Sequence, residues 1–198
     1  MKRKFSGLTL EEAMQLVPAQ KLSEWTLEIS ARPPSTTLLD LFRRFKSFEL
    51  TGSEAAKVML IDALLIEIVP DYPSLKVWKS AALESDTVAG IADYLVAPTR
   101  AYLKTPLLCA IEAKRDDFDA GQVQCIAEMA TCQQNNRRDG YEMEVYGIVS
   151  NGQVWVFYCL TEKEEILVSS LYITADLPEL LGAISTVFER CARNVPAA

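Results

Sequence analysis

An acid and a base lie two residues apart at the end of an apolar segment, as Glu112 and Lys114 in Pro-Leu-Leu-Cys-Ala-Ile-Glu-Ala-Lys. The apolar residues predict a buried strand. Alternate residues of a strand share a face, so both charged side chains project to the same side, with Leu108 and Ala110 behind them. Burying two charges is costly unless they pair or bind an ion. This strand end is therefore the first candidate site.

A third charge, Asp93, lies in the preceding apolar segment. The short connection 99–105 predicts that the two strands are antiparallel neighbours, with Asp93 opposite Glu112. Two adjacent carboxylates repel each other, and a hard divalent cation relieves that repulsion. Mg²⁺ favours one or two carboxylates, a carbonyl and retained waters, so we expect Asp93, Glu112 and the Ala113 carbonyl to hold Mg²⁺ or Mn²⁺. Lys114 would orient or deprotonate a water whose pKa the metal lowers.

This constellation resembles the core motif of the PD-(D/E)XK nuclease superfamily, an Asp on one strand followed by Glu-x-Lys on the next. Asp93 with Ile-Glu-Ala-Lys fits the motif, although Ala92 replaces the Pro of its name. The segment Gly-Ser-Glu-Ala-Ala-Lys is similar to the opening helix of the nuclease domains in type I restriction enzyme motor subunits. The resemblance covers about residues 50–160. It implies a restriction-endonuclease-like core in which Glu54 joins the metal site.

The next helix carries Gly-Gln-Val-Gln, which is similar to the Gln-containing helix of the same family. The resemblance implies that either Gln122 or Gln124 lies near the site and the substrate. The aromatic residue that often follows four positions later is Glu128 here. A phosphodiester backbone also needs a cationic rim, and the candidates for it are Arg115, Arg100, Lys104, Arg137 and Arg138.

Each candidate also has an ordinary structural explanation. Glu112 and Lys114 could be an ion pair at a strand end, and the glutamines a solvated helix face. Glu54, in a first helical turn, would interact favourably with the helix dipole. Asp62 and Glu67 are alternative acids on that helix. Asp62 is the better substitute, because it lies about 80° around the helix from Glu54.

The elements that position these residues follow one another as helices, three strands, a helix, three strands and a helix. Hydrophobic spacing and capping residues predict helices at 9–17, 38–45, 53–69, 119–135 and 176–191 and strands at 76–83, 90–97, 107–114, 143–149, 154–160 and 166–173. This order predicts an α/β (α+β) fold whose central mixed sheet is flanked by helices on both faces.

The chain divides at a linker, 31–35, which reads Ala-Arg-Pro-Pro-Ser. Residues 1–35 are expected to form an N-terminal arm or a packing appendage, and residues 36–198 the restriction-endonuclease-like α/β domain. No apolar run approaches the ~20 residues that a membrane span requires.

The composition narrows the chemistry of the 198 residues. Histidine is absent, which excludes Ser-His-Asp and Cys-His catalysis and the common zinc hydrolase sites. Five cysteines without CxxC spacing are expected to be reduced core residues of a cytoplasmic protein. A net charge of −7 means that nucleic acid could bind only at a local cationic face.

The sequence therefore predicts a divalent-metal-dependent nuclease that hydrolyses phosphodiester bonds in nucleic acid, expected to be a DNA endonuclease. A homodimer would supply two sites for the two strands of a duplex. The alternative is a catalytically weak or inactive nuclease-like fold that serves as a binding or regulatory module, which the acidic net charge favours.

Overall fold

The computed structural model describes residues 2–18, 21–50, 53–114 and 117–196, and these form one mixed sheet with helices on it. The strands are β1 (Arg3–Lys4), β2 (Leu22–Trp25), β3 (Leu75–Glu84), β4 (Val88–Pro98), β5 (Cys109–Ala113), β6 (Val145–Ser150), β7 (Val154–Leu160), β8 (Ile166–Ser169) and β9 (Tyr172–Ile173). The α-helices are α1 (Leu10–Met14), α2 (Thr36–Phe45), α3 (Glu54–Ile68), α4 (Phe118–Arg138) and α5 (Leu177–Arg193). The strand order is β1-β4-β5-β6-β7-β8-β2, with β3 also paired to β4 and β9 to β7.

Helices cover both faces of this sheet. On one face, α2, α3 and α5 pack against alternate strand residues such as Tyr94, Ile111 and Ile148. On the other face, α1 and α4 pack against the intervening residues, including Leu95 and Ala110. The predicted α/β (α+β) fold, a central mixed sheet with helices on both sides, is confirmed.

The two helices nearest the candidate site begin at side-chain caps. Ser53 Oγ accepts the N–H of Ala56 at 3.2 Å and starts α3, which ends just before Pro70. Asp117 accepts the N–H of Ala120 at 2.9 Å and starts α4. These contacts satisfy backbone donors that a helix N-terminus otherwise leaves without partners.

Strand β5 is an interior strand of the sheet, and all five of its residues are buried. It pairs antiparallel with β4 and parallel with β6. The parallel step from β5 to β6 requires a crossover, which α4 provides. Helix α4 therefore lies over β5 and β6, and its first turns lie over the strand end that carries Glu112.

The leading segment belongs to the same layers. β1 pairs in parallel with β4 and β2 with β8, which are two strands that the sequence prediction lacked. The linker 31–35 lies on the body of the protein: the N–H of Arg32 donates to the Pro178 carbonyl at 2.8 Å, and its guanidinium pairs with Asp71 at 2.6 Å.

Two details of the strand prediction are wrong. The strand predicted at 166–173 is two strands, β8 and β9, which pair with different parts of β7. At the last residue of β8, Ser169 Oγ accepts the Phe157 N–H at 3.0 Å, so a hydroxyl takes the place of a backbone acceptor there. Leu108 precedes β5, so strand alternation does not apply to it, and it packs in the α3 and α5 core rather than behind Glu112. None of the described helices is long and apolar enough to cross a bilayer.

Candidate active site

Strands β4 and β5 bring Asp93 and Glu112 together. Their antiparallel register pairs Tyr94 with Ile111 and Leu95 with Ala110, and Asp93 and Glu112 are the next residues along the two strands. There the Ala113 N–H donates to Asp93 Oδ2 at 2.8 Å. The Asp93 side chain thus replaces a backbone carbonyl in the ladder and is held at the end of β5.

Glu112 is buried, with 1% of its surface exposed, and it has a cationic partner. Lys114 Nζ lies 2.5 Å from Glu112 Oε1, so the two side chains share a face as the strand alternation predicts. That face is the one covered by α4, because Ala110 on the same side packs against the α4 residues. The opposite face receives Ile111.

Helix α4 adds two residues to the cluster that Asp93, Glu112 and Lys114 form. Lys114 Nζ donates to Gln124 Oε1 at 3.1 Å, and Gln124 Nε2 donates to Glu128 Oε1 at 3.2 Å. Glu128 is fully buried. The amide of Gln124 therefore has its orientation fixed from both sides, with its oxygen towards the ammonium and its nitrogen towards the carboxyl.

Burial controls the acidity of the two glutamates. It raises the pKa of Glu112 to about 7, with the charge of Asp93 adding to the rise and Lys114 opposing it. Burial and the charge of Glu112 raise the pKa of Glu128 well above its ordinary value. The two rises in pKa have the same origin, because burial disfavours each ionised carboxyl and two negative charges close together repel each other.

A close backbone approach sets the position of α4. A Cβ on Gly121 would lie 2.7 Å from Val149 Cγ1 and 2.9 Å from Lys114 Cγ. Only glycine lets the first turn of the helix rest on β6 and on the stem of Lys114. The sequence Gly-Gln-Val-Gln therefore positions Gln124 one helical turn further along, within reach of Lys114.

The two predicted glutamines are separated by the structure. Gln124 lies in the cluster, whereas Gln122 interacts with Tyr158 on β7, away from Asp93 and Glu112. Glu54 is the first residue of α3, and its side chain is outside what the structure describes. Arg115 also lies outside the described residues.

The alternative acids of α3 have other partners. Asp62 accepts hydrogen bonds from Lys79 Nζ at 2.5 Å and from the Tyr94 hydroxyl at 2.9 Å, on the face opposite Glu112. Glu67 accepts the backbone N–H of Ser35 at 2.8 Å and its hydroxyl at 2.7 Å, which fixes the start of α2. Both acids are therefore engaged by groups other than Glu112 and Lys114.

The expected cationic rim is not assembled where it was predicted. Arg137 pairs with Glu164 and with Glu142, and Arg100 donates to the Thr105 carbonyl at 3.1 Å. These contacts are at the beginning of β5, the end of the sheet remote from Glu112. Arg138 is the last residue of α4, at that same end.

The carboxylate oxygens of Asp93 and Glu112 that the contacts above do not use are the kind of ligand that a hard cation prefers. Asp93 and Glu112 each use one oxygen for the contacts above, and Glu112 Oε2 is buried without a hydrogen-bond partner. Within the described ranges, no group of three or more acids or cysteines is arranged to hold a metal ion. Mg²⁺ usually keeps several of its waters and needs only one or two carboxylates from the protein, so the two carboxylates are compatible with it.

No family model matches this chain, and no curated protein is significantly similar to it. The resemblance to the PD-(D/E)XK superfamily therefore stays a prediction that rests on the residues themselves.

Sequence reasoning missed Glu128. The sequence does contain a pattern that could have identified it. Glu128 lies four residues after Gln124 among apolar helix residues, and residues with this spacing lie on the same side of a helix. At this position Glu128 brings a carboxyl of α4 close enough to Glu112 for the two charges to interact.

Proposed function

We propose that this protein is a divalent-metal-dependent nuclease that hydrolyses phosphodiester bonds, with DNA as its substrate. The observation that carries the proposal is the hydrogen bond from the Ala113 N–H to Asp93 Oδ2 beside Glu112, whose carboxyl pairs with Lys114. Ionisable groups with raised pKa values that cluster at a buried strand end are candidates for a functional site.

Asp93, Glu112 and the Ala113 carbonyl are the proposed ligands of Mg²⁺ or Mn²⁺. The bound ion would polarise the phosphate and lower the pKa of a coordinated water. Glu54 is proposed to complete the site from the start of α3, directly or through water. In support, Lys57 of α3 places its carbonyl 3.0 Å from the Cβ position of Gly152, in the turn that follows β6. The last residue of β6, Ser150, pairs with Ala113.

Lys114 has the role of positioning the attacking water and stabilising the charge that develops on phosphate. Its ammonium is held between Glu112 and Gln124, so it does not have to be ordered when substrate arrives. Glu128 acts through Gln124, because its carboxyl fixes which end of the amide faces Lys114.

Nicking of supercoiled plasmid in Mg²⁺ or Mn²⁺ tests this function. We expect cleavage by the unmodified protein and at least a hundredfold loss in Glu112→Gln and Lys114→Ala. The matched controls are Asp62→Asn and Lys79→Ala, a second carboxylate–ammonium pair at 2.5 Å on the other face of the sheet. Cleavage that is undiminished in Glu112→Gln would assign the activity to another site and contradict the proposal.

Two finer points belong to the same proposal. We propose a homodimer, since cutting both strands of a duplex requires two sites and β3 is a ten-residue edge strand available for pairing. We also propose a cytoplasmic location, which the five buried, free cysteines support.

One observation favours a second function, a nuclease-like fold that acts as a binding or regulatory module. Lys114 already has two partners within the chain, Glu112 Oε1 and Gln124 Oε1, as a lysine with a purely structural role would have. Titration calorimetry separates the two functions. Mg²⁺ or Mn²⁺ binding that Asp93→Asn abolishes supports the nuclease. Heat that does not differ from dilution at millimolar metal, with no DNA binding at low salt, supports the module.

A further inference from the structure

A gap in the sheet leads to the candidate active site. Ala89 of β4 pairs with Lys4 of β1 on one edge and with Glu84 of β3 on the other. β1 therefore occupies the same edge of β4 as β5 does. β5 begins to pair only at Tyr94, so the backbone at 90–92 lies between the end of β5 and β1.

This gap is the floor of a groove of about 480 Å³, which we call the N-terminal groove. It is lined by Lys2, Lys4, Phe5, Ser6, Ala89, Gly90, Ile91 and Gln124. Gln124 is the residue that also accepts from Lys114, so the groove reaches the cluster. Its lining combines two ammonium groups with small residues and an amide, and it contains no acid.

The wall that carries the lysines is fixed to the sheet. The Arg3 N–H donates to the Thr87 carbonyl at 2.9 Å, and Phe5 is buried with 2% of its surface exposed. A Cβ on Gly90 would lie 2.5 Å from Phe5 Cδ2, so the ring rests directly on the backbone of β4. The cations on β1 are thus held at a constant distance from the site.

The three cations at residues 2–4 differ in their ion pairs. Lys2 pairs with Glu84 at 2.9 Å and Arg3 with Glu12 at 2.6 Å. Lys4 is exposed and has no ion pair in the described part of the chain. In a protein with a net charge of −7, an exposed cation without a partner beside the site attracts anions there.

We propose that the N-terminal groove binds the phosphate backbone of the nucleic acid that is cleaved, with Lys4 contacting a phosphate to one side of the scissile position. This inference rests on the proposed function. Lys4 lies opposite Ala89, four residues along β4 from Asp93, or about 13 Å at the rise of a strand. That distance equals the axial rise of about four nucleotides in one DNA strand.

The experiment measures binding separately from cleavage. Fluorescence anisotropy with a labelled 20-base-pair duplex in EDTA gives the affinity over a series of salt concentrations. We expect Lys4→Ala to bind about three- to tenfold more weakly and to reduce the slope of log K against log salt by about 1, whereas Lys4→Arg retains both. The matched control is Lys163→Ala, an exposed lysine in the β7–β8 turn.

The outcomes separate the groove from the nuclease. If Lys4→Ala and Lys163→Ala have equal affinity and equal salt slope, the proposed phosphate binding in the N-terminal groove is overturned. This holds even where the unmodified protein cleaves plasmid. The slope of log K against log salt could depend on Lys4 in a protein that does not cleave in Mg²⁺ or Mn²⁺. That result would support phosphate binding in the N-terminal groove and contradict the proposed nuclease activity. Absence of duplex binding by the unmodified protein at low salt overturns the groove.

Discussion

Gly121 approaches the stem of Lys114 so closely that a Cβ at residue 121 would lie 2.9 Å from Lys114 Cγ. The contact joins the first turn of α4 to the residue that follows β5. Helix α4 carries Gln124, which holds the ammonium of the same lysine. The packing of one glycine therefore helps to determine where the ammonium of Lys114 lies.

We predict that Gly121→Ala lowers the free energy of unfolding by about 1–3 kcal/mol, because the added methyl overlaps Val149 and Lys114 and outweighs the gain in helix propensity. Plasmid cleavage should fall further than stability accounts for, since Lys114 must move. Urea unfolding and the nicking assay measure the two effects. Gly7→Ala is the control, because no atom lies within 4 Å of its Cβ position. Equal stability of the two variants would contradict the packing argument.

The second prediction concerns metal binding. At pH 8 and constant ionic strength, 10 mM MgCl₂ should stabilise the protein by about 1.4 kcal/mol for a dissociation constant of about 1 mM. For a chain of this length that corresponds to a rise of about 3–6 °C in Tm. Asp93→Asn keeps an acceptor for the Ala113 N–H but loses the charge, so it should fold and show no rise. Asp62→Asn should retain the rise. A rise of equal size in Asp93→Asn would exclude this carboxylate as a ligand.

The third prediction is a dependence of stability on pH. The pKa of Glu112 is raised to about 7 from an ordinary value of 4.5, so between these pH values the folded state binds more protons than the unfolded state. The extra proton stabilises the folded state fully below pH 4.5, and this contribution is lost as the pH rises through 7. The free energy of unfolding falls by up to about 3 kcal/mol over this range.

Urea unfolding at several pH values in EDTA measures this contribution as the difference between the unmodified protein and Glu112→Gln. The unmodified protein should lose stability relative to the variant between pH 4.5 and 7. A relative gain over that window would show that the folded state favours the ionised carboxyl instead.

The hydrophobic pattern was sufficient to predict the two strands that position Asp93 and Glu112. Both lie in apolar strands joined by a short connection, so pairing and register followed from the chain itself. Strands β1 and β2 were not predictable in this way. β1 has two residues, both charged and exposed, and it is a strand only because its backbone pairs with β4.

The surroundings of the site depend on tertiary contacts that spacing does not record. Gln122 and Gln124 are equivalent in the sequence, and only the position of α4 on β6 shows which one meets Lys114. Arg137 was a reasonable phosphate contact by type. The length of α4 places it at the far end of the sheet, where it pairs with Glu164.

The last prediction compares the two glutamines of α4. Gln124→Ala removes the oxygen that holds Lys114 and the donor to Glu128, so the ammonium should be less ordered at the site. We expect kcat for cleavage to fall about 10- to 100-fold with little change in KM, because the loss is in positioning rather than in binding. Gln122→Ala, whose partner is Tyr158, should cleave as the unmodified protein does. Single-turnover cleavage of a labelled duplex measures both variants. Equal losses of kcat in the two variants would mean that α4 has a structural role only. A loss confined to Gln122→Ala would indicate that the substrate binds on the β7 side of the helix.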